Sequence, residues 1–263
     1  MGNGIDLAGL RPYQPGDDVR YIDWNVTARM DEPWVRDYHE DRDLTAWFLL
    51  DISPSVDFGT VESERVKRTV LIDFVATMAR LLTRRGNRVG AMLYGGSEDR
   101  TIPAGSGRRQ VLRLVNDLLG DEPRDQAPMT DLGPMLAAAG AGIKRRSLVF
   151  VVSDFISEPG WEKPLSLLTR RHEVIAVRLT DPREIELPDA GPMVLQDAET
   201  GEQLYVDTGD RGFRERFEAA AQRREEGIGT AFRRAGVDAL PLSTDDDLVR
   251  AIVRMAGLRR RRR

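Results

Sequence analysis

A doubly wound α/β fold, with a mostly parallel sheet and helices on both faces, is what this sequence predicts, and three observations predict it. Ala46 to Leu50 and Leu148 to Val152 are continuous apolar runs, as expected of strands buried on both faces of a parallel sheet. Each leads directly to an acid, Asp51 after the first and Asp154 just past the second. Between and after them, segments of helical period alternate with further short apolar runs, which argues for strand, crossover helix and strand in repetition.

The elements follow in order. Residues 1–45 are rich in Pro, Gly, Asp and aromatics and read as a small β-rich extension. Tyr21–Trp24 and Trp34–Tyr38 have the alternation of half-exposed strands. Gln14-Pro15-Gly16-Asp17-Asp18 is a tight turn, with proline presetting φ and Gly16 taking a positive φ. After the strand at residues 46–50, Ser63 is placed to cap a helix whose apolar stripe is Val66, Val70, Leu71, Phe74, Met78, Leu81 and Leu82, with Gly86 as the stop. Next come a strand over 88–94, helices over 109–119 and 131–141, a strand over 147–152, a helix over 164–169 and a strand over 173–179. A hairpin over 193–206 turns at Glu199-Thr200-Gly201-Glu202. A long helix over 213–234, a short strand over 237–240 and a helix over 245–255 complete an α/β domain of residues 46–257, followed by a basic tail of residues 258–263.

Composition removes several function classes. At 263 residues with 41% hydrophobic and 31% charged content, the chain can bury a sizeable core. No apolar run approaches membrane-spanning length and no secretory leader pattern is present, so cytoplasmic residence is the expectation. The lack of cysteine removes disulfides, thiolate catalysis and cysteine-held zinc, and two histidines, His39 and His172, offer little to metal chemistry. The formal charge of −4 conceals five arginines, Arg259 to Arg263, against a body of about −9. That tail is a solvated end, with weak contact to an anionic surface as its functional alternative. Only three of the 39 basic residues are lysines.

In an open α/β sheet, ligands bind where loops leave the carboxyl ends of the central strands. Asp51-Ile52-Ser53-Pro54-Ser55 leaves one such end, Asp154 leaves another, and Thr130 precedes a helix between them. A small hard cation such as Mg2+ or Mn2+ takes about six oxygens at roughly 2.1 Å and readily keeps waters. A site supplying mostly hydroxyls leaves the ion electrophilic toward an incoming carboxylate. Each residue also has a plainer reading: the Asp-x-Ser-x-Ser stretch as a polar loop, Thr130 as an N-cap, and Asp154 as a turn or helix cap.

This constellation resembles the metal-ion-dependent adhesion site of von Willebrand factor A domains. The resemblance implies direct ligation by Ser53, Ser55 and Thr130, with Asp51 and Asp154 acting mostly through water and a partner's Asp or Glu completing the shell. Phe155 stands where other A domains commonly have glycine. A narrower resemblance covers nearly the whole chain. Leu10 to Trp24, Ala28-Arg29, Glu40 to Asp43, Gly86 to Gly90, Ser153-Asp154-Phe155 and Asp197 to Glu202 are similar to the bacterial domain-of-unknown-function 58 family. That resemblance implies an adaptor working with a MoxR-type AAA+ ATPase in a chaperone-like or assembly system.

Read from the residues alone, Pro15-Gly16-Asp17-Asp18 with Arg20, Asp23, Trp24 and Arg29 makes a turn, a buried aromatic and salt bridges that fasten an N-terminal subdomain to the sheet, with a binding surface as the alternative. Trp161 packs a helix start or, if exposed, anchors a partner. The competing function is a magnesium-dependent phosphoryl-transfer or hydrolytic enzyme using Asp51 and Asp154, with Asp131. Against it, Gly95-Gly96 lacks the lysine of a phosphate loop, no Asp-x-Asp follows the first strand, and neither serine sits in a Gly-x-Ser-x-Gly elbow. Specific nucleic-acid binding through arginines is opposed by the acidic body.

Overall fold

A computed structural model describes residues 6–15, 17–30, 32–39, 44–58, 65–95, 98–121, 129–198 and 200–260. Gly16 of the expected turn, residues 40–43, Ser63, Gly96, Glu199 and residues 261–263 lie outside the described residues. The chain divides into two compact units, residues 1–43 and 44–263.

In the first unit, β1 (Asp6–Pro12) pairs antiparallel with β2 (Trp34–His39). The expected strand at Tyr21–Trp24 is instead a 3-10 turn, Val19–Tyr21, followed by α1 (Trp24–Met30). Side-chain capping decides this. Asp18 accepts the Arg20 N–H, and Asp23 accepts those of Asn25 and Val26, bonds that favour a helical turn over a ladder. Trp24 is 69% exposed, which corrects its assignment as a buried aromatic; Val35 is buried instead. Asp17 holds Arg11 through two 2.7 Å bonds and its N–H closes on the Gln14 carbonyl, so a turn forms where expected.

The second unit is built on a six-stranded sheet. Its strands are β3 (Thr45–Asp51), β4 (Arg88–Tyr94), β5 (Arg100–Gly105), β6 (Leu148–Ser153), β7 (Glu173–Thr180) and β10 (Asp238–Ser243), in the order β10-β7-β6-β3-β4-β5. All pair in parallel except β5, an antiparallel edge strand that the sequence reading did not identify. The helices are α2 (Lys67–Thr83), α3 (Gly107–Leu119), α4 (Leu132–Gly142), α5 (Glu162–Thr169), α6 (Arg211–Ala235) and α7 (Leu248–Arg260). A separate hairpin pairs β8 (Pro192–Gln196) with β9 (Gln203–Asp207). Helix α2 begins at Lys67 behind Val66, with no side-chain cap, and α7 runs five residues beyond the expected Met255.

Residue alternation explains the three layers. On β3, Phe48 and Leu50 join one core with α2 and α3, while Leu49 joins the other with α4 to α6. On β6, Leu148, Phe150 and Val152 face the first core and Val149 and Val151 the second. Phe48 and Phe150 stack at 5.2 Å between ring centroids, and Phe74 of α2 meets Phe150 edge-on. Counted from β3, the chain adds two strands to one side and then crosses over to add three to the other. The switch point therefore falls between β3 and β6.

Candidate functional site

Asp51 and Asp154 lie at that switch point, both fully buried. The β3 strand ends at Asp51, and the Ile52 N–H still donates to the Tyr94 carbonyl at 2.8 Å, so the loop leaves the sheet braced by β4. Pro54 then opens a 3-10 turn, Pro54–Asp57, which brings Ser55 back beside Ser53. The two hydroxyl oxygens stand 3.1 Å apart. Adjacent ligands on an octahedral ion with bonds of roughly 2.1 Å are about 3.0 Å apart, so this pair has the spacing of one coordination edge. Gly95, at φ +87°, packs on the same loop, where an added Cβ would come within 3.1 Å of the Ser53 nitrogen.

The Asp51 carboxylate accepts the Ser53 N–H at 3.1 Å and the Ser153 hydroxyl at 2.6 Å. Burial and the nearby charge of Asp154 nevertheless push its pKa up to about 6. Asp154 titrates in the opposite sense. Burial disfavours its charge, but the Lys67 ammonium, Arg178 and the Ile156 N–H outweigh that and hold its pKa below the ordinary range.

Thr130 is buried in the loop before α4. Capping of that helix belongs to Asp131, whose carboxylate accepts the Gly133 N–H at 2.8 Å. The Thr130 carbonyl accepts the Glu158 N–H, and the Leu132 N–H donates to the Ser157 hydroxyl, tying this loop to the one that follows Asp154. Three loops from three parts of the sequence thus meet at one end of the sheet. Phe155 has φ +52°, the left-handed conformation that glycine adopts without strain. Its ring is buried edge-on to Phe232 at 4.8 Å and beside Trp161 at 5.4 Å, contacts that glycine could not supply. Trp161 itself is 4% exposed, so of its two readings the packing role holds.

Lys67, Glu184, Ser153 and Gly95 were not singled out from the sequence as site residues. Lys67 is 1% exposed, and its ammonium donates to Asp154 at 2.8 Å and to Glu184 at 2.6 Å. The two carboxylates outweigh the desolvation that burial imposes and hold its pKa above the ordinary lysine value. A signal for it existed: Lys67, Leu71, Phe74 and Met78 share one face of α2, so a lysine occupies a core-facing position in a chain that has three lysines. Glu184 is set by a capping box after β7, in which the Asp181 N–H donates to the Glu184 carboxylate at 3.1 Å and the Arg183 N–H donates to the Asp181 carboxylate at 2.9 Å.

A groove of about 800 Å³ opens over this end, lined by Ser55, Phe58, Asp154, Glu184, Met193 and Leu195 among others. Among the described residues no group of three or more His, Cys, Asp or Glu side chains is placed to share an ion, so a cation here would draw on hydroxyl oxygens. The Ser53–Ser55 edge and Asp51 fit that demand, while Asp154 is engaged by Lys67.

A family model described as protein of unknown function DUF58 matches residues 9–227. The chain belongs to this family. A Mycobacterium tuberculosis member carried as an uncharacterized protein is 36% identical over 260 residues, spanning 99% of this chain and 81% of that one. Among solved structures, this DUF58 chain is similar to an aerotolerance-related membrane protein from Bacteroides fragilis, at 12% identity and TM-score 0.51 over 78% of this chain and 92% of that one. It is also similar to the conserved hypothetical protein BatB from Bacteroides thetaiotaomicron, at 14% identity and TM-score 0.51 over 81% and 99%. Von Willebrand factor A domains stand among its structural neighbours, including the SpRpn10 VWA domain at 14% identity and TM-score 0.45 over 80% and 93%. At these identities the likeness concerns the fold alone, an α/β fold with a mostly parallel sheet. Among the described residues no helix is long and apolar enough to cross a membrane.

Proposed function

We propose that this DUF58 protein is a divalent-cation-dependent docking module and not an enzyme. Ser53, Ser55 and Thr130 would ligate Mg2+ or Mn2+, with Asp51 beside them, and an Asp or Glu of a partner protein would complete the shell. The observation that carries this reading is the 3.1 Å edge between the Ser53 and Ser55 hydroxyls, next to a buried carboxylate at the sheet's switch point and beneath an open groove. Neutral ligands leave the ion short of negative charge, and a partner's carboxylate supplies it. The interaction role also agrees with the resemblance of the loop of residues 51–55 to that of von Willebrand A domains. A MoxR-type AAA+ ATPase in the cytoplasm is the partner we assign, on the family resemblance.

Phosphoryl transfer is the weaker reading. Of the three acids it would use, Asp131 caps α4 and Asp154 neutralises Lys67, which leaves Asp51 alone to position magnesium. The test is binding of a purified MoxR-type ATPase to the wild type, Asp51→Ala and the Ser53→Ala plus Ser55→Ala double variant, in magnesium and in EDTA. Binding confined to the wild type in magnesium is expected. Equal binding by all three in EDTA would overturn the cation-dependent reading.

A further inference from the structure

We propose that Lys67 is a built-in counter-charge which keeps Asp154 from giving its charge to a cation at Ser53 and Ser55, so that the ion is held firmly only when a partner's carboxylate arrives. This deepens the cation-dependent reading and rests on it. Burying an ammonium with 1% exposure is costly unless carboxylates surround it, and here two do, at 2.8 Å and 2.6 Å. Its position at the start of α2, on the stripe shared with Leu71 and Phe74, gives the side chain no route to solvent, and the Phe58 ring lies 5.6 Å away.

The consequence follows from how the carboxylate oxygens are used. Asp154 spends one oxygen on Lys67 and the other on the Ile156 N–H. Among the described residues Asp51 bonds neutral groups, Ser53 and Ser153, so its charge is not countered by an ammonium as that of Asp154 is. Ser55, Asp154 and Glu184 line the same groove, so an ion on the hydroxyl edge would share that groove with the two carboxylates that Lys67 holds. An ammonium in a low-dielectric setting repels an incoming cation, and Lys67 thereby offsets the attraction that Asp154 would exert on it.

Calorimetric titration of the full chain with Mn2+ alone tests this. Lys67→Met is expected to bind Mn2+ about tenfold or more tightly than the wild type, whereas Lys67→Arg, which keeps the charge, should stay near the wild type. Added acetate, standing in for a partner's carboxylate, should strengthen Mn2+ binding in the wild type more than in Lys67→Met. A purely structural lysine would give neither pattern. If Lys67→Met does not fold, the Lys67→Met plus Glu184→Gln pair is used, and a smaller tightening is expected of it, because Asp154 is freed while the charge of Glu184 is lost. Mn2+ binding no tighter than wild type in the folded variant overturns the proposal. Wild-type Mn2+ affinity retained in Asp51→Ala would instead overturn the site reading itself.

Discussion

Phe155 and Asp51 each sit in a setting that works against their own chemistry. Phe155 holds a left-handed backbone that glycine would take without strain, and it does so because its ring packs against Phe232 and Trp161. Removing the ring should cost about 3 to 5 kcal/mol in Phe155→Ala, while Phe155→Gly should be less damaging by about 0.5 to 1 kcal/mol because it also relieves the backbone. Urea unfolding of the two variants checks the order, and a glycine variant no better than alanine would refute the strain argument. Asp51 has a folded pKa of about 6, above its ordinary 3.8. Between those values the folded state keeps a proton that the unfolded chain has lost, so this group's contribution falls as pH rises and its full cost is present above about pH 6. Asp51→Asn should therefore stabilise the protein more at pH 8 than at pH 4, by about 2 to 3 kcal/mol, in urea melts run with EDTA. Asp154 has the opposite sign, its stabilising pairing with Lys67 being lost as pH falls, and Asp51→Asn also removes the neighbouring charge that opposes its ionisation.

Helix α4 shows how one residue's assignment depends on its neighbour's. The sequence left Thr130 open between N-cap and ligand, and the structure gives the cap to Asp131. Asp131→Ala should then lower stability by about 1 kcal/mol without changing cation-dependent binding, which paired urea melts and binding assays would read. A loss of binding equal to that of Asp51→Ala would place Asp131 in the site itself. The strands and helices of the sheet were legible because period and burial agree. The runs at β3 and β6 are apolar on both faces, and the stripe of α2 repeats at helical spacing. The edge strand β5 was not legible, since Arg100-Thr101-Ile102-Pro103 buries only Ile102 and carries a proline, the mark of an edge. The strand expected at Tyr21–Trp24 failed for a related reason, because short polar caps at Asp18 and Asp23 outweigh a weak alternation.

At the scale of the whole molecule, chain crossover places the site. Asp51 and Asp154 are 103 positions apart in sequence, yet the reversal of strand order between β3 and β6 brings them together, with Ser153 donating to Asp51. Their meeting could be foreseen from the two buried strands, and so could the hydroxyl pair in the loop. The burial of Lys67 was signalled by its place on the apolar stripe of α2, but its partners Asp154 and Glu184, 87 and 117 residues away, were not. The assembled site is thus a hydroxyl edge beside one carboxylate bonded to neutral groups and one carboxylate held by an ammonium. The most direct measurement of the central claim is anomalous diffraction from crystals equilibrated with Mn2+ and acetate. The account predicts a manganese peak roughly 2.1 to 2.2 Å from both the Ser53 and Ser55 hydroxyl oxygens, with acetate on its open side. A saturated crystal with no peak at that edge would contradict it.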